Sequence, residues 1–317
     1  MSFIFNLGCT GVELFFLISG FVVHLTIEKT TNYKNIFFLR FARLYPAYCI
    51  CLTLTTIAIV SWSVIVKTPI NFPQFKNYLL NLSMIQYCFN LKNIDGVYWT
   101  LTVELLFYLF ILIIYLIKNL RQIEFISFLV VLTCFIYVTG LNRLSPFLYK
   151  NIHSYVPIIT YFPLFIAGII FYKIKFYKIN RYRFLLIIFC LVTQILLLDS
   201  SGRIILITKL QYIAAVFTFF SVFFLYCFNH LHFVINKFTL FLGKISYSLY
   251  LFYGFISIFL LIPFLTYSKI FHLNIWIAVL FIVDPIVVIP ATYLNKFIEV
   301  PVINYFRRKR LKESIAE

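Results

Sequence analysis

Apolar residues in this chain gather in long blocks separated by short polar turns, rather than alternating with polar ones. The blocks fall at 9–27, 44–66, 97–117, 125–140, 156–174, 184–199, 210–228, 245–266 and 274–295. A helix rises 1.5 Å per residue, so about 20 apolar residues cross the roughly 30 Å of hydrocarbon in a bilayer. The pattern predicts an all-α fold: a polytopic integral membrane helical bundle of about nine transmembrane helices, forming a single domain over 1–317. The stretch Tyr78–Leu91 is shorter and interrupted by asparagine, which fits a re-entrant or interfacial segment. No internal repeat appears, nor a matching pair of Gly/Pro-broken helices of the kind that marks many transporters.

Composition sharpens this picture. Hydrophobic residues make up 63% and charged residues 12%, against about 25% charged in soluble domains. The net charge of +17 sits in short loops between blocks, where anionic headgroups and membrane orientation account for it, and nucleic acid does not. Nineteen of the 27 basic residues fall on one side of the nine predicted spans, which the positive-inside bias makes cytoplasmic. That places Arg40, Arg43 and the C-terminal tail inside, in a cytoplasmic (inner) membrane, with the N-terminus outside. Met1–Thr10 carries no basic residue, so insertion is expected to rely on the spans themselves. The seven cysteines show no C-x-x-C spacing and read as small core hydrophobes, with no metal site expected.

Few residues are suited to chemistry. Glu13 and Glu104 lie inside apolar blocks, where insertion of an acid costs about 2.5–3.5 kcal/mol at mid-span, so each is expected to face a protein interior or a watery cavity. Glu104 could take a proton from an acceptor hydroxyl, or serve as a structural partner. Arg40 and Arg43, at i and i+3 where the second block begins, project from one helix face; their forks suit a diphosphate, and they equally suit anchoring at the boundary. Glu13 and His24 are about 16 Å apart along a helix axis, too far for a dyad, and His24 reads as a satisfied polar residue. Ser246 and Tyr247 carry hydroxyls that could line a cavity or bond within the bundle.

Four stretches, Gly11–Phe21 (GVELFFLISGF), Leu39–Pro46 (LRFARLYP), Tyr98–Tyr108 (YWTLTVELLFY) and Leu242–Phe252 (LGKISYSLYLF), with weaker echoes at Phe162–Gly168 and Phe297–Pro301, resemble the membrane-bound acyltransferase family 3. Its members are bacterial O-acetyltransferases of surface polysaccharides, with a pattern of ten helices. The resemblance implies an O-acyltransferase moving an acyl group, acetyl above all, from cytoplasmic acyl-CoA to a hydroxyl of a surface polysaccharide or lipid-linked glycan. No cofactor is implied; acyl-CoA is the donor substrate and membrane lipid the other partner. Arg40 and Arg43 would hold the donor, Glu104 and Glu13 would serve catalysis, and Trp99, Ser246, Tyr247 and Tyr253 would line the substrate path. The family's usual histidine after the last strong motif is replaced by Tyr253, and its optional SGNH domain is not expected here. A family helix bearing an arginine and the histidine taken as catalytic precedes the GVELFF-like span, and no residue here matches it. Upstream codons are therefore expected to encode that helix, without which Glu13 would face lipid. The alternatives are a truncated, non-catalytic member or a glycan-lipid flippase.

Overall fold

A computed structural model describes residues 8–28, 33–66, 75–89, 91–117, 119–145, 147–149, 152, 156–200, 207–256, 284–306 and 308. Among these no strand forms, and ten α-helices exceed one turn. They are α1 (Gly11–Glu28), α2 (Tyr33–Val66), α3 (Phe75–Leu82), α4 (Trp99–Leu116), α5 (Ile123–Ile136), α6 (Phe162–Tyr177), α7 (Arg181–Leu196), α8 (Lys209–Cys227), α9 (Lys237–Ile256) and α10 (Asp284–Leu294). Six helical stretches among the described residues are long and apolar enough to cross a membrane: Gly8–Glu28, Arg40–Ser61, Gly96–Leu116, Leu120–Leu141, Lys209–Cys227 and Asp284–Phe306. Large apolar side chains such as Ile117 (65% exposed), Leu185 and Phe217 point outward, as expected of a lipid-facing surface. The chain is an all-α polytopic membrane bundle.

The predicted blocks at 156–174 and 184–199 become α6 and α7, each 16 residues and so about 24 Å long. Parts of the blocks at 245–266 and 274–295 lie outside the described residues. The largest departure is α2. Basic residues and Pro46 suggest a helix beginning near position 44, yet α2 starts at Tyr33 and carries Pro46 in its interior. At 34 residues it is about 51 Å long, more than the hydrocarbon thickness, so Arg40 and Arg43 sit on a continuous helix rather than at its start.

Packing divides the chain into two compact units, one of Met1–Tyr33 with Val103–Val234 and the other of Lys34–Thr102 with Ile235–Glu317. In the first, α6 is central: every residue from Pro163 to Tyr172 is buried, the signature of a helix apolar all round its circumference. It packs against α1, α5, α7 and α8. Its C-terminal end is tied by Glu28, which accepts hydrogen bonds from Lys173 Nζ (2.7 Å), Tyr172 OH (2.9 Å) and Tyr177 OH (2.9 Å). Lys175 Nζ donates to the carbonyls of Tyr226 (2.9 Å) and Cys227 (3.3 Å), satisfying acceptors left over at the end of α8.

In the second unit α9 pairs with α10, and the segment between α2 and α4 is folded rather than extended. Asn81, fully buried, organises it. Its Nδ2 donates to Asn77 Oδ1 (2.9 Å) and to the Lys92 carbonyl (3.3 Å), its Oδ1 accepts from Ile94 N–H (3.2 Å), and its carbonyl accepts from Tyr48 OH (2.6 Å). Asn81, expected to interrupt Tyr78–Leu91, thus helps close it, because a buried backbone turn needs side-chain partners for its polar groups. Asp95 then caps the turn Gly96–Tyr98 that leads into α4, its side chain accepting from Val97 N–H (3.2 Å). Burial pushes the Asp95 carboxyl above its usual range, against the opposing effect of that N–H.

Candidate functional site

The structure collects the chemistry-bearing residues into two clusters, one in each unit. The first is built on a close approach of α1 and α6. A Cβ at Gly20 would lie 2.0 Å from the Phe165 carbonyl oxygen, and one at Gly168 would lie 2.2 Å from the Leu17 carbonyl oxygen. Only glycine at both positions lets the two backbones come this near. Ser19, immediately before Gly20, donates from Oγ to Glu104 Oε1 at 3.2 Å. Tyr108, one turn along α4, donates to the same oxygen. Phe107 stacks on Phe165 with centroids 4.1 Å apart, so α4 is held against α6 beside this carboxylate. Ser19, Glu104 and Tyr108 are all buried.

Glu13 belongs to the same unit and is fully buried within the protein, as expected of an acid in an apolar block, and does not face lipid. An acid enclosed by protein escapes the cost of contact with hydrocarbon. His24 is buried near the other end of α1, with Nε2 3.2 Å from Glu28 Oε1. Glu28, itself bonded by Tyr172, Tyr177 and Lys173, is thus a polar partner of His24.

The second cluster ties α2, α9 and α10. Tyr247 OH donates to the Leu44 carbonyl (2.7 Å), one residue past Arg43. Its neighbour Ser248 donates to Glu299 Oε1, and Asn295 Nδ2 donates to Glu299 Oε2 at 2.7 Å and to the Lys244 carbonyl at 2.9 Å. Glu299 reaches this position through a π-helical turn at Asn295–Glu299, whose wider ring rotates the following side chains relative to α10. Arg40 is buried at 7% exposure, whereas Arg43 is exposed, so the two forks share a helix face but differ in access to water. Trp99 is half-buried at the start of α4. Ser246 is exposed and bonds the Gly243 carbonyl (3.0 Å), and Tyr253 is 48% exposed.

Of the residues expected to line a path, Tyr247 joins this cluster through its hydroxyl, while Ser246 turns back onto its own helix. Ser19, Tyr108, Ser248 and Asn295 were not singled out in the sequence. The available signal was a hydroxyl or amide inside an apolar run, since such groups seek partners across helices. Among the described residues no group of three or more His, Cys, Asp or Glu side chains could hold a metal ion, and the described cysteines form no disulfide.

Each cluster is a meeting of stretches far apart in sequence. The first joins the GVELFFLISGF, TVELLFY and FPLFIAG strings, and the second joins LRFARLYP, SYSLYLF and FIEVP. A family model described as an acyltransferase domain, that of acyltransferase family 3, matches residues 1–294. The chain belongs to this acyltransferase family. Comparison with curated proteins and with solved structures finds no match. The family match runs through both units of the acyltransferase and includes five of the six strings, ending just before FIEVP.

Proposed function

We propose that this acyltransferase moves an acetyl group from cytoplasmic acyl-CoA to a hydroxyl of a surface polysaccharide or lipid-linked glycan. The observation that carries the reading is Glu104, a buried carboxylate inside a membrane helix whose Oε1 is fixed by hydroxyls from two helices, in a chain of an acyltransferase family. In this reading the acceptor hydroxyl oxygen bonds to the thioester carbonyl carbon and the carbon–sulfur bond breaks. Glu104 takes the hydroxyl proton, which passes on to the departing sulfur and leaves coenzyme A as a free thiol. Developing charge on the carbonyl oxygen must be met by donors near the reacting carbon. Glu13 would line the acceptor side of the path. The test is transfer of label from [14C]acetyl-CoA to membrane glycan by membranes containing the protein; no transfer to any glycan or glycan-lipid fraction would defeat the reading.

Arg40 and Arg43 would hold the donor's diphosphate. A bidentate fork differs from a point charge, so Arg40→Lys should weaken coenzyme A affinity by about tenfold or more despite the retained charge. Isothermal titration with coenzyme A measures it, and equal affinity in the two forms would eliminate the clamp.

The donor is cytoplasmic only if Arg43 faces the cytoplasm. The bias of 19 of 27 basic residues supports that orientation and a cytoplasmic C-terminus. A single cysteine introduced at position 314 of a cysteine-free form should react with an impermeant maleimide only in inverted vesicles. Reaction in intact cells would reverse the topology.

A further inference from the structure

We infer that Ser19 and Tyr108 are positioning residues for Glu104, acting together on one carboxylate oxygen; the inference rests on the proposed role of Glu104 in acyl transfer. Both hydroxyls donate to Oε1, one from α1 and one from the next turn of α4. Two donors converging on a single oxygen from different helices fix both the side-chain rotamer and the plane of the carboxyl, where one donor would leave it free to swing.

The position of Ser19 is itself set by packing. Gly20 lies against the Phe165 carbonyl and Gly168 against the Leu17 carbonyl, so α1 cannot slide or rotate on α6 without a backbone collision. Phe107, between Glu104 and Tyr108 on α4, stacks on Phe165 of the same stretch of α6. One turn of α6 therefore seats both the helix that carries the Ser19 hydroxyl and the helix that carries the carboxylate. A purely packing role for position 19 is met as well by alanine; a hydroxyl there that reaches a carboxylate 85 residues away is not needed to fill the space. Preorganised geometry of this kind lets a proton acceptor meet its substrate without reorientation in the transition state.

The test uses the full-length protein in membranes. Ser19→Ala and the near-isosteric Ser19→Cys should each lower kcat for acyl transfer by about ten- to a hundredfold while the KM for acyl-CoA stays unchanged, and Ser19→Thr, which keeps a hydroxyl, should restore most of the rate. Tyr108→Phe should act in the same direction. A readout independent of activity is modification of Glu104 by the membrane-permeant reagent dicyclohexylcarbodiimide, followed by mass spectrometry, with Glu104→Gln as the unlabelled control. Removing a donor uncovers Oε1, so labelling should rise several-fold in Ser19→Ala and in Tyr108→Phe. Wild-type protein that transfers no acyl group would defeat the functional reading, while the labelling would still decide the positioning. Unchanged labelling in both variants would overturn the inference, as would equal activity of Ser19→Ala and wild type, or a loss in Ser19→Ala that Ser19→Thr does not recover.

Discussion

Glu104→Gln is expected to lower the rate of acyl transfer by about 10²–10⁴-fold, the usual contribution of a general base, with the affinity for coenzyme A unchanged. The substitution is nearly isosteric. Its side-chain carbonyl still accepts from Ser19 and Tyr108, so the contacts that hold α4 near α1 survive and the loss isolates the proton-accepting role. Affinity is expected to hold because Arg40 and Arg43, the proposed donor ligands, belong to the other packing unit. Steady-state kinetics on purified protein separates the two quantities. Transfer within a few-fold of wild type would remove Glu104 from the chemistry and leave it as a structural acceptor.

Gly168→Ala and Gly20→Ala are expected to be the most destabilising single-methyl changes in the described protein. Each puts a Cβ about an ångström inside the closest distance that real contacts show, and against a backbone carbonyl rather than a side chain that can rotate away. Overpacking typically costs about 1–3 kcal/mol and occasionally more, and the absence of any flexible neighbour puts these two at the upper end. Because either alanine already forces α1 and α6 apart, the double variant should cost clearly less than the two singles added together. Thermal unfolding in detergent measures this. Gly243→Ala supplies the control, since a Cβ there meets nothing within 4 Å and should leave the midpoint unmoved. Single variants that melt with the control would mean that the helices can separate at no cost.

The bundle itself was legible because hydropathy blocks and scarce charge leave no other way to satisfy the backbone in lipid. Helix ends were less so. Arg40, Arg43 and Pro46 mark a boundary in local terms, but α2 runs through them, since a helix longer than the hydrocarbon can carry charge beyond it and tolerate one missing N–H. The burial of Glu13 and Glu104 could be anticipated from the cost of charge in apolar sequence. Their partners could not. The contact of Ser19 with Glu104 spans 85 residues and that of Ser248 with Glu299 spans 51, and periodicity carries no information about which face meets which. Asn81 shows the same limit: locally an asparagine weakens a helix, whereas here its side-chain amide bonds Asn77, Lys92 and Ile94 and helps close a turn.

The burial of α6 has a consequence for how the protein meets bilayers of different thickness. A helix of about 24 Å exposed to lipid would have to thin the membrane around it or draw flanking residues inward. With Pro163 to Tyr172 enclosed, α6 touches almost no acyl chain and is relieved of that match. Hydrophobic mismatch falls instead on its outward-facing neighbours, such as α8, which at 19 residues is close to the length of a typical span. Thickness-driven tilting would thus act on the periphery of this unit, while the axis against which Ser19 and Glu104 are registered stays fixed by contacts between protein and protein.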